Sequence, residues 1–239
     1  MKPIASKMIR IAFTAFLAWG CSLPCSAADL VTVASFSTSV EDQDENVRRN
    51  IHIACGKLDG IVIGPKSSFN FNDTVGEATA KNGFVNGRVL YRDEVRYEPG
   101  GGLCQVSSTL YNALLLAGCA IVERHRHMQP VTYVPLGLDA TIKFGKKNLV
   151  IKNPYDRKLV IRAEENDKTL TIHIKADSAL PHRYEIVTED EELEVPIVTE
   201  NRRVRSGVTV QVYRQKYSGN KLIESFLLYK DYYPPVYVK

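Results

Sequence analysis

A glycine triplet running straight into an apolar helical segment constrains this chain more than any other stretch. It reads Gly100-Gly101-Gly102-Leu103-Cys104-Gln105-Val106-Ser107-Ser108-Thr109-Leu110-Tyr111-Asn112. Val106, Leu110, Ala113, Leu114 and Ala117 recur at helical spacing, so one face of a helix is apolar and must meet a core. Gly118 follows the last of them and suits a left-handed C′ cap. Cys104 then lies at the helix N-terminus, where unpaired N–H groups and the positive end of the helix dipole favour a thiolate. Gly100, Gly101 and Gly102 would let the backbone approach a ligand and offer N–H donors to an oxyanion. A tight strand-to-helix turn would require them equally. Gln105, Ser107 and Tyr111, on the turns after the cysteine, are candidates for substrate contact.

Beyond Gly118, residues Cys119 to His127 read as a strand. His125 and His127 would share one face of it, because strand side chains alternate with period two. A cysteine at a helix start and two histidines on the next strand make a nucleophile–base pair. The competing reading treats Cys104 as a small buried hydrophobe, the common fate of a free cysteine. Asp139 is a candidate third group, fixing the tautomer of an imidazole, or else a turn-capping aspartate. Zinc on Cys104, His125 and His127 is the weaker alternative, since a second sequence-adjacent ligand pair is missing. No metal or other cofactor is expected.

These residues also carry a resemblance. The run from Gly100 to Ala113, then Glu123-Arg124-His125-Arg126-His127 and Pro130-Val131-Thr132-Tyr133-Val134-Pro135-Leu136-Gly137-Leu138-Asp139-Ala140-Thr141, resembles the VanW-like domain family. Phe69-Asn70-Phe71-Asn72-Asp73-Thr74-Val75-Gly76 is similar to a further family element, and the resemblance spans roughly Thr38 to Ile174. Arg126 departs from the pattern, since many members carry proline between the histidines. The family is named for an accessory protein of glycopeptide-resistance clusters. Some of its members are associated with cysteine-dependent L,D-transpeptidation of peptidoglycan. The resemblance therefore implies peptidoglycan stem peptides as substrate, with Cys104 as nucleophile and His127 or His125 as base. A non-catalytic wall-binding or resistance-accessory module is the alternative it leaves open.

The rest of the chain sets compartment and fold class. Lys2, Lys7 and Arg10, an apolar run from Ile11 to Trp19, and Ser26-Ala27-Ala28 read as an export leader over residues 1–28. Cys21 would anchor the chain to a membrane if it were lipidated, although Trp19 makes a poor lipobox. Without the three leader cations, 28 basic residues face 27 acidic ones, and no basic run is interleaved with aromatics, so nucleic acid is not an expected partner. Cys55, Cys104 and Cys119 remain after such a cleavage. An odd count in an oxidising compartment leaves one thiol free unless it pairs between molecules, and a Cys104–Cys119 bridge would silence the nucleophile.

Val47, Ile51, Ala54 and Leu58 mark a first helix over Asp44 to Leu58. Short strands follow at Ile61–Ile63, Ser68–Asn72, Asn148–Ile151, Leu159–Ile161 and Leu170–Ile174, with a hairpin over Arg88–Tyr97. Composition shifts after Ala176. Glu189–Glu192 reads as a solvated loop, and Val204–Tyr217 with Lys221–Lys230 as two arms joined at Ser218-Gly219-Asn220. The expected fold is α+β: a mainly antiparallel sheet packed with two principal helices over residues 29–177, then a small β-rich extension over 178–239. That extension resembles the G5-like module that often follows a VanW-like domain.

Overall fold

The computed structural model describes residues 7–12, 30–91, 94–193 and 203–238. Its central sheet is antiparallel throughout, in the order Val31–Ser39, Thr169–Ala176, Leu159–Glu165, Val62–Ile63. Leu170, Ile172 and Ile174 alternate along the second strand and are fully buried. Two long helices, α1 (Glu45–Leu58) and a later one at Leu103–Leu116, pack on this sheet and on each other. A short helix α2 (Phe71–Val75) lies between them in the chain, which makes the later one α3. A small sheet joins Ser68–Asn70, Val150–Lys152 and Ala120–Glu123, and Asn86–Tyr91 pairs with Glu94–Pro99 as a hairpin. The C-terminal sheet runs Lys7–Ala12, Arg183–Leu193, Gly207–Ser218, Lys221–Tyr233, and Arg203–Arg205 pairs with Val236–Val238. The architecture is α+β with mainly antiparallel sheets, as the sequence implies.

Local chemistry explains the helices. Asp44 caps α1, its carboxylate accepting the N–H of Val47 at 2.9 Å, and the stripe Val47, Ile51, Ala54, Leu58 is buried. Gly118 ends α3 at φ 78°, with its N–H on the Leu115 carbonyl and the Cys119 N–H on that of Leu114, the Schellman arrangement. One difference matters for the site. The sequence predicts a single apolar stripe on α3, yet every residue of the helix except Cys104 is buried. Each fully buried Leu on that helix contributes about 1.5–3 kcal/mol. Its polar residues survive burial by bonding to carbonyls: Ser108 to Cys104 at 2.7 Å, Thr109 to Gln105 at 2.7 Å, Asn112 to Ser108 at 2.7 Å.

Three other expectations change. The strand predicted to reach His127 stops at Glu123, and the chain from Arg124 onward is irregular. Phe71 opens α2 instead of continuing a strand with Phe69, and Asn70 caps that helix through the Asp73 N–H at 3.1 Å. The acidic run Glu189–Glu192 is not a loop but lies within the strand Arg183–Leu193, paired with Val208–Gln211. Of the predicted leader, Lys7–Ala12 is described and forms an edge strand on Arg183–Leu193. Cys21, Cys25 and the Ser26–Ala28 cleavage motif lie outside the described residues. No described helix is long and apolar enough to cross a membrane.

Candidate active site

The glycine triplet is explained by packing within the chain. A Cβ on Gly100 would stand 2.4 Å from the Ala78 side chain, and one on Gly101 would stand 2.5 Å from the Gly87 backbone. One on Gly102 would meet Val47 of α1 at 2.9 Å, and Gly100 and Gly102 also hold φ of 84° and 103°. Asn50 of α1 ties the turn down, donating to the carbonyls of Val85 at 2.9 Å and Gly101 at 3.0 Å. The N–H groups of Gly100 and Gly101 donate to Val85 and Glu98. Among the described residues, the amides of this turn left without a protein acceptor are those of Gly102 and Cys104. The triplet thus shapes the turn, and only its last member and Cys104 have an N–H to offer an oxyanion.

The polar face of α3 then fixes the opposite wall. Ser107 donates to the Ala140 carbonyl, the Ala140 N–H donates to the Ser108 hydroxyl at 2.9 Å, and Asn112 donates to the Leu138 carbonyl at 2.8 Å. These bonds lay residues 138–141 along α3 and carry Thr141 to the cysteine. The Cys104 sulfur is half-buried, 3.4 Å from the Thr141 hydroxyl and 3.8 Å from the Ile142 carbonyl.

His127 completes the arrangement. Its Nδ1 lies 2.6 Å from Asp139 Oδ2, and its backbone N–H donates to the same oxygen at 2.6 Å. With Nδ1 committed to the carboxylate, Nε2 is the ring nitrogen left to interact with the Cys104 thiol. Burial by itself would raise the Cys104 thiol, but the hydrogen bond and charge of His127 outweigh it, helped by Thr141 and Ile142, and hold it below its ordinary value. Burial would likewise lower His127. The bonds to Asp139 and Cys104 raise it to about 9 instead. Asp139 is held below the usual carboxylate range: burial opposes ionisation, and His127, Arg124 and Tyr233 overcome it. These shifts favour the charged forms of Cys104 and His127, with the His127 ring oriented by a buried carboxylate.

The described cysteines, Cys55, Cys104 and Cys119, are all free, so no bridge occupies Cys104. Burial pushes the thiols of Cys55 and Cys119 up to about 12, which leaves them unreactive at neutral pH.

The two histidines separate. His127 belongs to the site, whereas His125 turns to Glu123, its Nε2 2.9 Å from Oε1. The same-face expectation fails because the strand has ended before either residue. Cys104, His125 and His127 therefore do not converge, and no three metal-ligating side chains do so among the described residues. Gln105, Ser107 and Tyr111 are buried in the scaffold. Gln105 bonds to Thr38 at 3.1 Å and to the Ser39 carbonyl at 2.7 Å, and Tyr111 donates to the Tyr229 hydroxyl at 2.6 Å. None of the three has a polar group to present to a substrate.

Two groups escaped the sequence reading. Tyr133 stands edge-on to the His127 ring at 6.5 Å between centroids, and burial and the Cys104 charge keep its phenol neutral. The Arg124 side chain is buried, with Nη2 3.1 Å from Asp139 Oδ1 and Nη1 2.7 Å from Asp231 Oδ2. A tyrosine and an arginine close to the histidines in sequence were visible, but nothing local marked them as inward-facing.

The chain is 32% identical over 151 residues to "Uncharacterized protein YoaR" of Bacillus subtilis, covering 63% of this chain and 50% of that protein. It is 25% identical over 192 residues to "Vancomycin B-type resistance protein VanW" of Enterococcus faecalis, covering 78% of this chain and 68% of that protein. The chain thus spans about half the length of the Bacillus relative. No solved structure matches it. The family described as "VanW like protein" matches residues 46–175, more than half of the chain and a span that includes Cys104, His127 and Asp139. The chain belongs to the VanW-like family.

Proposed function

We propose that this protein is an exported cysteine acyltransferase acting on peptidoglycan stem peptides, of the L,D-transpeptidase type. One observation carries the reading: among the described cysteines, Cys104 alone sits beside the His127–Asp139 pair, and that surrounding favours its thiolate. That combination is what thiol acyl transfer requires. The Cys104 thiolate attacks the carbonyl of the third stem residue. The N–H groups of Cys104 and Gly102 receive the developing oxyanion. The His127 imidazolium gives its proton to the departing amine of the fourth residue, leaving a thioester on Cys104. An incoming amine, deprotonated by His127, then attacks the thioester and releases the thiolate. Asp139 keeps the imidazole in the required tautomer throughout. Water in place of the amine gives carboxypeptidation.

The stem-peptide assignment draws on the family and on the resistance function in the name of the Enterococcus relative. Export draws on the composition of residues 1–28. The test is intact mass and product analysis after incubation with tetrapeptide-stem muropeptides, with Cys104→Ala alongside. Release of D-alanine or a dimer, with an adduct that vanishes in Cys104→Ala, is the expected result. A folded, reduced protein that gives neither across several stem chemistries would leave a binding module as the better description. Secretion from intact cells with a mature N-terminus near residue 29 is the outcome expected of the leader.

A further inference from the structure

The last long strand, Lys221–Tyr233, lies outside the span matched by the family, yet it ends against the site. Tyr229, Asp231 and Tyr233 alternate along it, so they share the face turned towards the body of the protein, while Lys230 and Tyr232 are exposed. Tyr233 donates to Asp139 Oδ1 at 2.7 Å and accepts the Gly137 N–H at 3.2 Å. Tyr229 donates to the Gly137 carbonyl at 2.8 Å. Asp231 holds Arg124, which in turn reaches Asp139 through both the backbone carbonyl, at 2.7 Å, and Oδ1. The loop carrying Asp139 is therefore gripped from one side by α3 and from the other by this strand.

We propose that Tyr233 and Asp231 are positioning residues for the His127–Asp139 pair, so that the C-terminal sheet is a working part of the site. The inference rests on reading Cys104, His127 and Asp139 as the reactive unit. The division of labour on the carboxylate explains why both are needed. Oδ1 takes Tyr233 and Arg124, and Oδ2 takes the backbone N–H and the ring Nδ1 of His127. Without the Tyr233 hydroxyl the carboxylate loses a neutral donor that fixes its rotation. Without Asp231 the guanidinium is released from its second partner and can close on Asp139 in the bidentate fashion arginine prefers, taking Oδ2 from His127. Either change weakens the support of the imidazolium, and a weaker imidazolium stabilises the thiolate less.

The experiment is the pH dependence of Cys104 alkylation by iodoacetamide, followed by the mass of the Cys104 peptide in full-length protein. Tyr233→Phe and Asp231→Asn are expected to raise the apparent thiol pKa and slow labelling at pH 6 by roughly three- to tenfold, the equivalent of about half to one pKa unit. Tyr232→Phe, on the exposed face of the same strand, is expected to reproduce the parent curve. Because Tyr233 acts through Asp139, Tyr233→Phe should add nothing in an Asp139→Asn background. A parental curve for Tyr233→Phe, or an undiminished effect in the Asp139→Asn background, overturns the proposal. Tyr233→Phe preserves the packed ring and decides the matter even if Asp231→Asn fails to fold. Alkylation needs no substrate, so a parent protein with a lowered thiol pKa but no thioester would refute the transpeptidase reading and leave this one standing.

Discussion

At the scale of single residues, the site assigns unequal roles to groups that look alike in sequence. In the proposed acyl transfer His127 is the base and the partner of the thiolate, and His127→Ala removes both. The expected loss in acyl transfer is on the order of 100- to 10,000-fold, the range for a positioned general base. His125→Ala removes a half-exposed ring that faces Glu123, and its rate is expected to stay near the parent. Comparable losses in both variants would undo the assignment of His127. The pH dependence follows from the same pair. His127 is raised from 6.5 to about 9, so the stability its imidazolium lends the fold is complete below 6.5 and lost as pH rises through about 9. Cys104 is lowered, so its thiolate favours the fold above the ordinary thiol value of 9 and that contribution fades as pH falls through the depressed one. The charged pair therefore exists in the window between the two. A bell-shaped rate profile with its alkaline limb near 9 is expected, and a rate still climbing past that limb would contradict the ion pair.

At the scale of elements, much of the frame was written locally. The stripe of α1, the stripe and Gly118 stop of α3, and the Ser218-Gly219-Asn220 turn each announce themselves within a dozen residues. The ends of the strands did not. In Cys119–His127 alternation alone cannot show that Arg124 turns inward to Asp139 and Asp231, or that the Thr141 N–H claims the His125 carbonyl at 2.7 Å. Glu189–Glu192 looked like a solvated loop because its charge outweighed a pairing with Val208–Gln211 that only the folded chain reveals. The proposed site followed the same rule: Cys104 was legible from its helix start, while the choice of His127 over His125 depended on Asp139.

Two glycines test this local logic. Gly101→Ala would press a methyl against the Gly87 backbone at 2.5 Å and is expected to cost about 1–3 kcal/mol as overpacking does. Gly56→Ala, in the last turn of α1 with open space around it, should stabilise by up to about 0.5–1 kcal/mol. Urea denaturation of both variants reads the two signs directly, and equal effects would mean that packing is not what demands the glycine triplet.

At the scale of the whole molecule, residues 178–239 read in sequence as an appendage, but they share a core with the rest. Ile186, Val210, Val212 and Tyr233 belong to the same buried cluster as Leu110, Val134 and Leu138. The contact is close: a Cβ on Gly137 would meet Val212 at 2.8 Å, and one on Gly118 would meet the Tyr184 ring at 2.3 Å. Arg214 reaches across to the Cys119 carbonyl at 2.6 Å, just past the end of α3. A boundary crossed by apolar packing, a buried arginine and the Asp139 network does not separate independently stable units. Heating should therefore give one calorimetric transition, with the van't Hoff and calorimetric enthalpies in agreement. A chain ending at Asp177 should lose near-ultraviolet circular dichroism while keeping part of its far-ultraviolet signal, because Leu138 and the end of α3 would face water. Two resolved transitions, or a shortened chain that keeps a sharp melt and a reactive Cys104, would mean that the sheet is attached to the site without being needed by it.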